Sequence, residues 1–149
     1  MTMLIKVLLN SEGPVCEVGG GPFSTPLLHW ICKMQNRKLV TYENNKDFYD
    51  ICHQFQSKNH SIRFIENWDE MDFKTHWSLV FIDHHPAERR VVDVINFKDS
   101  ADYIVMHDTE DYRYGFDKAF PLFKYRYDWK DCTPYTSVVS NSKDLTFLE

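Results

Sequence analysis

The chain has 149 residues with 43% hydrophobic and 15% aromatic content, enough for one ordinary domain around a packed core. Its net charge of -5, with the lysines and arginines scattered, provides no concentrated basic surface for phosphates, so nucleic acid is not an expected partner and a small molecule is. Cys16, Cys32, Cys52 and Cys132 form no CxxC pair, and residues 1–10 are too short to span a bilayer and lack a signal-peptide cleavage pattern. Reduced thiols, a cytoplasmic location and no membrane anchor are expected.

Strand-like and helix-like stretches alternate from the start, with no linker, charge block or repeat, which predicts βαβ units on a parallel sheet within one domain over residues 1–149. Met3 to Leu9 reads as a short helix, ended by Ser11-Glu12-Gly13-Pro14 before a first strand at Val15 to Val18. A helix is expected from near Pro26, capped by Ser24 or Thr25, with Leu27, Leu28, Ile31 and Cys32 as its buried stripe. A second strand follows at Lys38 to Tyr42, a helix at Asp47 to Phe55, and a third strand at Ser61 to Ile65.

Ser78 to Ile82 is a continuous apolar run that stops at Asp83, the pattern of a central strand covered on both faces. Pro86 is expected to open a helix through about Phe97, and Ala101 to Met106 supplies a fifth strand ending at His107-Asp108. Phe123 to Trp129, Tyr135 to Val139 and Leu145 to Leu148 are β-prone, so the sheet should close with an antiparallel pair at one edge.

In an open α/β sheet, ligands bind beyond the carboxyl ends of the strands. Gly19-Gly20-Gly21 lets backbone approach a ligand without Cβ collisions. Glu43 ends the second strand, where a carboxylate can accept both hydroxyls of a ribose. Where a dinucleotide fingerprint carries its third glycine this chain reads Pro22-Phe23-Ser24-Thr25, which fits a pyrophosphate poorly and disfavours an NAD-dependent oxidoreductase. Glu17, just before the glycines, suits a ligand with a positively charged end.

The Glu17-Val18-Gly19-Gly20-Gly21 run resembles the first motif of class I methyltransferases, which implies S-adenosylmethionine or its demethylated product as ligand. The resemblance implies a Rossmann-like methyltransferase sandwich, a mostly parallel sheet with helices on both faces. In that family the acidic residue and glycines surround the methionine portion, the carboxylate after strand two holds the ribose, and residues after strand three bracket adenine. By position these are Glu17, Gly19, Gly21, Glu43 and Asn67-Trp68-Asp69, with Ser24 and Asp83 completing the implied cofactor contacts.

On the acceptor side, Asp83-His84-His85-Pro86 and His107-Asp108-Thr109 end adjacent strands. Such a cluster can bind a divalent metal or supply a general base. The pair resembles a methyltransferase branch with Asp-x-x-His-like and His-Asp-Thr segments after strands four and five. Some relatives hold magnesium with carboxylates there, which by position implies Asp83 and Asp108, and Asp83, His107 and Asp108 are the implied catalytic set. The chain departs from the pattern at Phe23 and at His84-His85-Pro86, where a glycine is expected. Arg89, Arg90 and Arg113 are placed to reach an anionic acceptor or to lie on solvated faces. Little sequence is left over for a lid, which favours a large or partner-presented acceptor. The competing expectation is a non-catalytic subunit or sensor with this fold, which a site closed by Tyr or Phe would favour.

Overall fold

The computed structural model describes residues 1–149. Helix α1 (Thr2–Leu9) leads into strand β1 (Val15–Val18), followed by α2 (Ser24–Met34), β2 (Leu39–Glu43), α3 (Lys46–His53) and β3 (His60–Phe64). Then come β4 (Trp77–Ile82), α4 (Arg89–Phe97), β5 (Ala101–His107), β6 (Tyr125–Trp129) and β7 (Thr136–Ser140), with short 3₁₀ turns between and after them. The strands form one sheet in the order β3-β2-β1-β4-β5-β7-β6. Neighbours from β3 to β5 are parallel, while β7 runs antiparallel to both β5 and β6, as expected for the closing edge pair.

Burial follows from the two-residue period of the strands. Val15, Leu79, Phe81, Tyr103 and Val105 face α1 and α2 in one apolar layer, with Met3, Leu4, Val7, Leu8, Leu28 and Cys32 opposite them. Cys16, Val18, Val80, Ile82, Ile104 and Met106 face the other way, against Trp68, Val94, Phe97, Tyr114 and Phe116. β4 is buried at all six positions, which accounts for its uninterrupted apolar sequence. No helix is long and apolar enough to cross a membrane.

Several boundaries differ from expectation for local reasons. α2 begins at Ser24 with no side-chain cap, because the Thr25 hydroxyl is engaged by the Gly21 amide and by Glu17 instead. α3 begins one residue early, since Asn45 caps it by accepting the amides of Asp47 and Phe48 at 2.9 and 3.2 Å. α4 starts at Arg89 rather than Pro86, after a loop that includes the cis His85-Pro86 bond. Leu145 to Leu148 is no strand: residues 146–148 form a 3₁₀ turn whose Leu145 and Leu148 fill the α1 layer. Cys16, Cys32 and Cys52 are buried free thiols, and Cys132 is exposed.

Candidate functional site

The chain crosses from one half of the sheet to the other between β1 and β4, leaving a crevice beyond their carboxyl ends. A cleft of about 960 Å³ occupies it, walled by the glycine turn, Ser24, Glu43 to Asn45, Phe48, the Asp83–Ala87 loop, Arg90, His107 and Asp108. Gly19, Gly21, Ser24, Glu43, Asp83, His107 and Asp108 are thus all brought to its wall.

Gly19 has φ +94°, and a Cβ there would lie 2.7 Å from the Asp83 carbonyl oxygen and the His84 Cα. Only glycine lets the turn pass this close to the loop after β4. A Cβ on Gly20 would strike Cys52 Sγ at 2.8 Å and Thr41 Cγ2 at 3.0 Å, while one on Gly21 meets nothing within 4 Å. The turn is therefore packed beneath and bare on the cleft side.

Glu17 lies under this turn and does not line the cleft. Parallel pairing sets it beside Thr41 of β2. Its Oε2 accepts from the hydroxyls of Thr41 at 2.6 Å and Thr25 at 2.8 Å, while Oε1 is buried without a partner. Burial pushes the carboxyl up to about 7, against the nearby hydroxyls of Ser24, Thr41 and Thr25, which pull it down. The hydrogen bonds continue outward from Thr41 Oγ1 to His60 Nε2 at 2.8 Å, and from His60 Nδ1 to His29 Nδ1 at 3.1 Å. Thr41 spends its one proton on Glu17, so His60 donates through Nε2 and accepts from His29. Burial lowers His60 to about 3, which keeps it neutral for that arrangement.

Glu43 stands at the cleft wall with Oε1 fixed by the amides of Asn44 and Asn45, at 2.9 and 2.7 Å. Burial raises its pKa, and these backbone donors with Gly20 oppose the rise. Asn67 and Trp68 do not reach the cleft. Asn67 caps the 68–70 turn, and the buried Trp68 packs against His84, with ring centroids 4.3 Å apart and planes tilted by 57°, and donates its indole N–H to the His85 carbonyl at 2.9 Å. The wall past Glu43 is made instead by Asn44, Asn45 and Phe48, which sequence reasoning did not single out. An Asn-Asn pair directly after a ribose-type carboxylate was the available signal.

At the other end, His107 Nδ1 lies 2.9 Å from Asp108 Oδ1 and 3.6 Å from Asp83 Oδ1. The N–H···O alignment at this nitrogen is poor, so the contact acts chiefly through charge. Asp108 is the main reason His107 has a raised pKa, and His107 in turn lowers Asp108. Burial raises Asp83, partly offset by Arg90. Asp108 has φ +59°, a left-handed conformation that an Asp tolerates better than most residues. Asp83, His107 and Asp108 also offer three ligand atoms within 4.8 Å of one another, the spacing of a metal site.

Arg90 changes what that cluster means. Expected on a solvated face or at an anion, it is 2% exposed. Its Nη2 pairs with Asp83 at 2.9 Å and its Nη1 with Asp108 at 3.2 Å, while Nε donates to the His84 carbonyl at 2.6 Å and Nη1 to the His107 carbonyl at 3.2 Å. Tyr114 stacks on the guanidinium at 4.3 Å and donates its hydroxyl to Asp108. The signal was present in the sequence: Arg90, Asp93, Val94 and Phe97 are the buried positions of α4 and fall on one helical stripe. Arg89 is held by Asp93 and Asp69, and Arg113 by Asp111, so none of the three arginines near the cleft is left unpaired for an anion. His84 is fully buried 2.9 Å from Asp93, with burial lowering its pKa.

No protein-family profile and no curated protein matches this sequence. Solved structures do resemble it. A Staphylococcus aureus protein taken to be a caffeoyl-CoA O-methyltransferase aligns with a TM-score of 0.70 at 12% identity, over 93% of this chain and 81% of its own. A Pyrococcus furiosus methyltransferase aligns at 0.67 with 13% identity, over 95% and 82%. M. capricolum TrmK, solved with S-adenosylhomocysteine, aligns at 0.64 with 8% identity, over 98% and 71%. At such identities the likeness is one of fold: the chain has the Rossmann-like fold of class I methyltransferases, with the antiparallel pair at its C-terminal edge.

Proposed function

We propose that this chain is a methyltransferase that binds S-adenosylmethionine along Gly19–Gly21 and Glu43 and methylates an oxygen or nitrogen of an acceptor held against Asp83, His107 and Asp108. The observation that carries the reading is the pairing, in one cleft, of a glycine turn bare on its open side with a carboxylate oriented by backbone amides at the end of β2. The residues fit the ligand. Glu43 offers a fixed acceptor for ribose hydroxyls, Gly21 leaves open space, and Glu17 places a buried carboxyl with an unpartnered oxygen under the turn that a cationic amino acid moiety would cover. TrmK, with its bound S-adenosylhomocysteine, supports the same ligand here.

When bound, the cofactor supplies an electrophilic sulfonium methyl group, and the thioether that leaves needs no acid. The protein's tasks are to position the acceptor and to take its proton. His107 suits the second task, because Asp108 and Asp83 lie beside its ring and raise its pKa, favouring the proton it takes up. Asp108 stabilises the protonated ring, and Asp83 lies close enough to orient the acceptor. The convergence of these three groups in the open cleft speaks for an enzyme over the non-catalytic alternative. With three carboxylates in the wall and every nearby arginine paired, the acceptor is a neutral or cationic group rather than an anion.

Calorimetry with S-adenosylmethionine and S-adenosylhomocysteine tests the cofactor half. Glu43→Ala should weaken both ligands by tenfold or more, at roughly 1.4 kcal/mol per decade, with little change in melting temperature. Binding unaffected by that substitution would remove the basis of the reading.

A further inference from the structure

Paired carboxylates beside an acceptor commonly share a divalent cation, and Asp83 and Asp108 have the spacing for one. In this chain a cation of another kind already stands between them. Each of the two carboxylates already gives one side-chain oxygen to Arg90, Asp83 Oδ1 on Nη2 and Asp108 Oδ2 on Nη1. Asp108 Oδ1 lies 2.9 Å from His107 Nδ1. The guanidinium is no mobile surface group to be swung aside: it is buried, roofed by Tyr114, and bonded to the backbone carbonyls of His84, just past β4, and of His107 at the end of β5. Displacing it would leave a buried charge without partners and free both carbonyls, each of which disfavours the displaced state. A dication placed beside it would meet like charge at short range in a partly desolvated pocket.

We infer that Arg90 is a built-in substitute for a metal ion, holding Asp83 and Asp108 side by side with no divalent cation at the site. Magnesium, implied by the sequence resemblance at Asp83 and Asp108, does not fit this arrangement. Arg90 is a positioning residue, acting through the two carboxylates.

The assignment of this cluster to acceptor chemistry rests on the reading above, whereas the statement about metal does not, and the experiment separates them. Titration of Mn²⁺ followed by its electron paramagnetic resonance signal is made on the full chain, with and without S-adenosylhomocysteine. The wild type should show no saturable binding below millimolar metal. Arg90→Ala, which frees both carboxylates, should bind at least tenfold more tightly than wild type, and Arg90→Lys, which keeps a cation, should not. Stoichiometric binding to wild type that Asp83→Asn abolishes would overturn the inference. So would an Arg90→Ala protein that is folded by circular dichroism and still ignores the metal. Should Arg90→Ala fail to fold, the wild-type titration alone decides. A protein that binds neither metal nor S-adenosylhomocysteine would sink the cofactor reading and leave the guanidinium's role standing.

Discussion

Glu17 and His60 are buried ionisable groups one threonine apart, and their pKa shifts oppose each other. Glu17 rises from 4.5 to about 7, so between those values the folded chain keeps a proton that the unfolded chain has released, and stability falls as pH rises through that window. The whole displacement corresponds to about 3 kcal/mol. His60 falls from 6.5 to about 3, so there the unfolded chain binds the extra proton and stability falls as pH drops. From 4.5 to 6.5 the two slopes cancel in part, and above 6.5 only the Glu17 cost grows. Glu17→Gln should therefore raise the denaturation free energy at pH 8 by roughly 1–3 kcal/mol and change it little at pH 5, measured by urea unfolding. An equal change at both pH values would show that ionisation of Glu17 is not the source. The sequence marked this residue as a carboxylate near a cationic ligand. Its burial beneath the turn was hidden, because nothing in a one-dimensional pattern tells which strand residue meets Thr41 and Thr25 across the fold.

The same limit acts on elements. β4 and the glycine turn were legible because an uninterrupted apolar run has few other uses, and because three glycines after a strand need a reason. α4 was legible as a helix but not as the carrier of Arg90, since arginine counts as polar in any periodicity argument, and here its partners come from β4 and β5, distant in sequence. Leu145 to Leu148 was misassigned because its buried residues are three apart, a helical spacing read as β propensity. The glycine turn itself makes a sharp prediction. Gly19→Ala puts a Cβ against backbone at a positive φ and should cost about 2–4 kcal/mol or abolish folding, while Gly21→Ala, facing open space, should leave stability within about 0.5 kcal/mol. If the two variants melt alike, the close approach of β1 and the Asp83 loop is not what fixes Gly19.

Across the whole molecule, two apolar layers clamp one sheet, and the layer on the α1 side is closed by residues from opposite parts of the sequence. Leu148 is fully buried there with Met3, Leu4 and Leu8, and its carbonyl accepts from Lys6 Nζ at 3.2 Å. Leu148→Ala should lower stability by about 2–4 kcal/mol with an unchanged denaturant slope, as for any core cavity. A loss below about 0.5 kcal/mol would mean that the α1 layer is complete without it. The parallel sheet order could be anticipated from alternation of strands and helices, but the closure of this layer depends on contacts 142 residues apart, as between Lys6 and Leu148.

Gly20 rests directly on the sulfur of Cys52, whose thiol burial pushes up to about 11. No reagent reaches that sulfur unless the turn lifts or α3 swings away, so the rate at which Cys52 is alkylated measures how often the cleft floor opens. The chain carries its own reference for such a clock in Cys132, which is exposed. Peptide-resolved alkylation should show Cys132 modified at once and Cys52 slowly, and a ligand seated across the glycines should slow Cys52 further without affecting Cys132. Labelling of Cys52 that ignores S-adenosylhomocysteine at saturating concentration would mean that the ligand does not rest on this floor. An occupancy assay thus needs no engineered probe: a sulfur atom beneath the turn reports, by its silence, what lies above it.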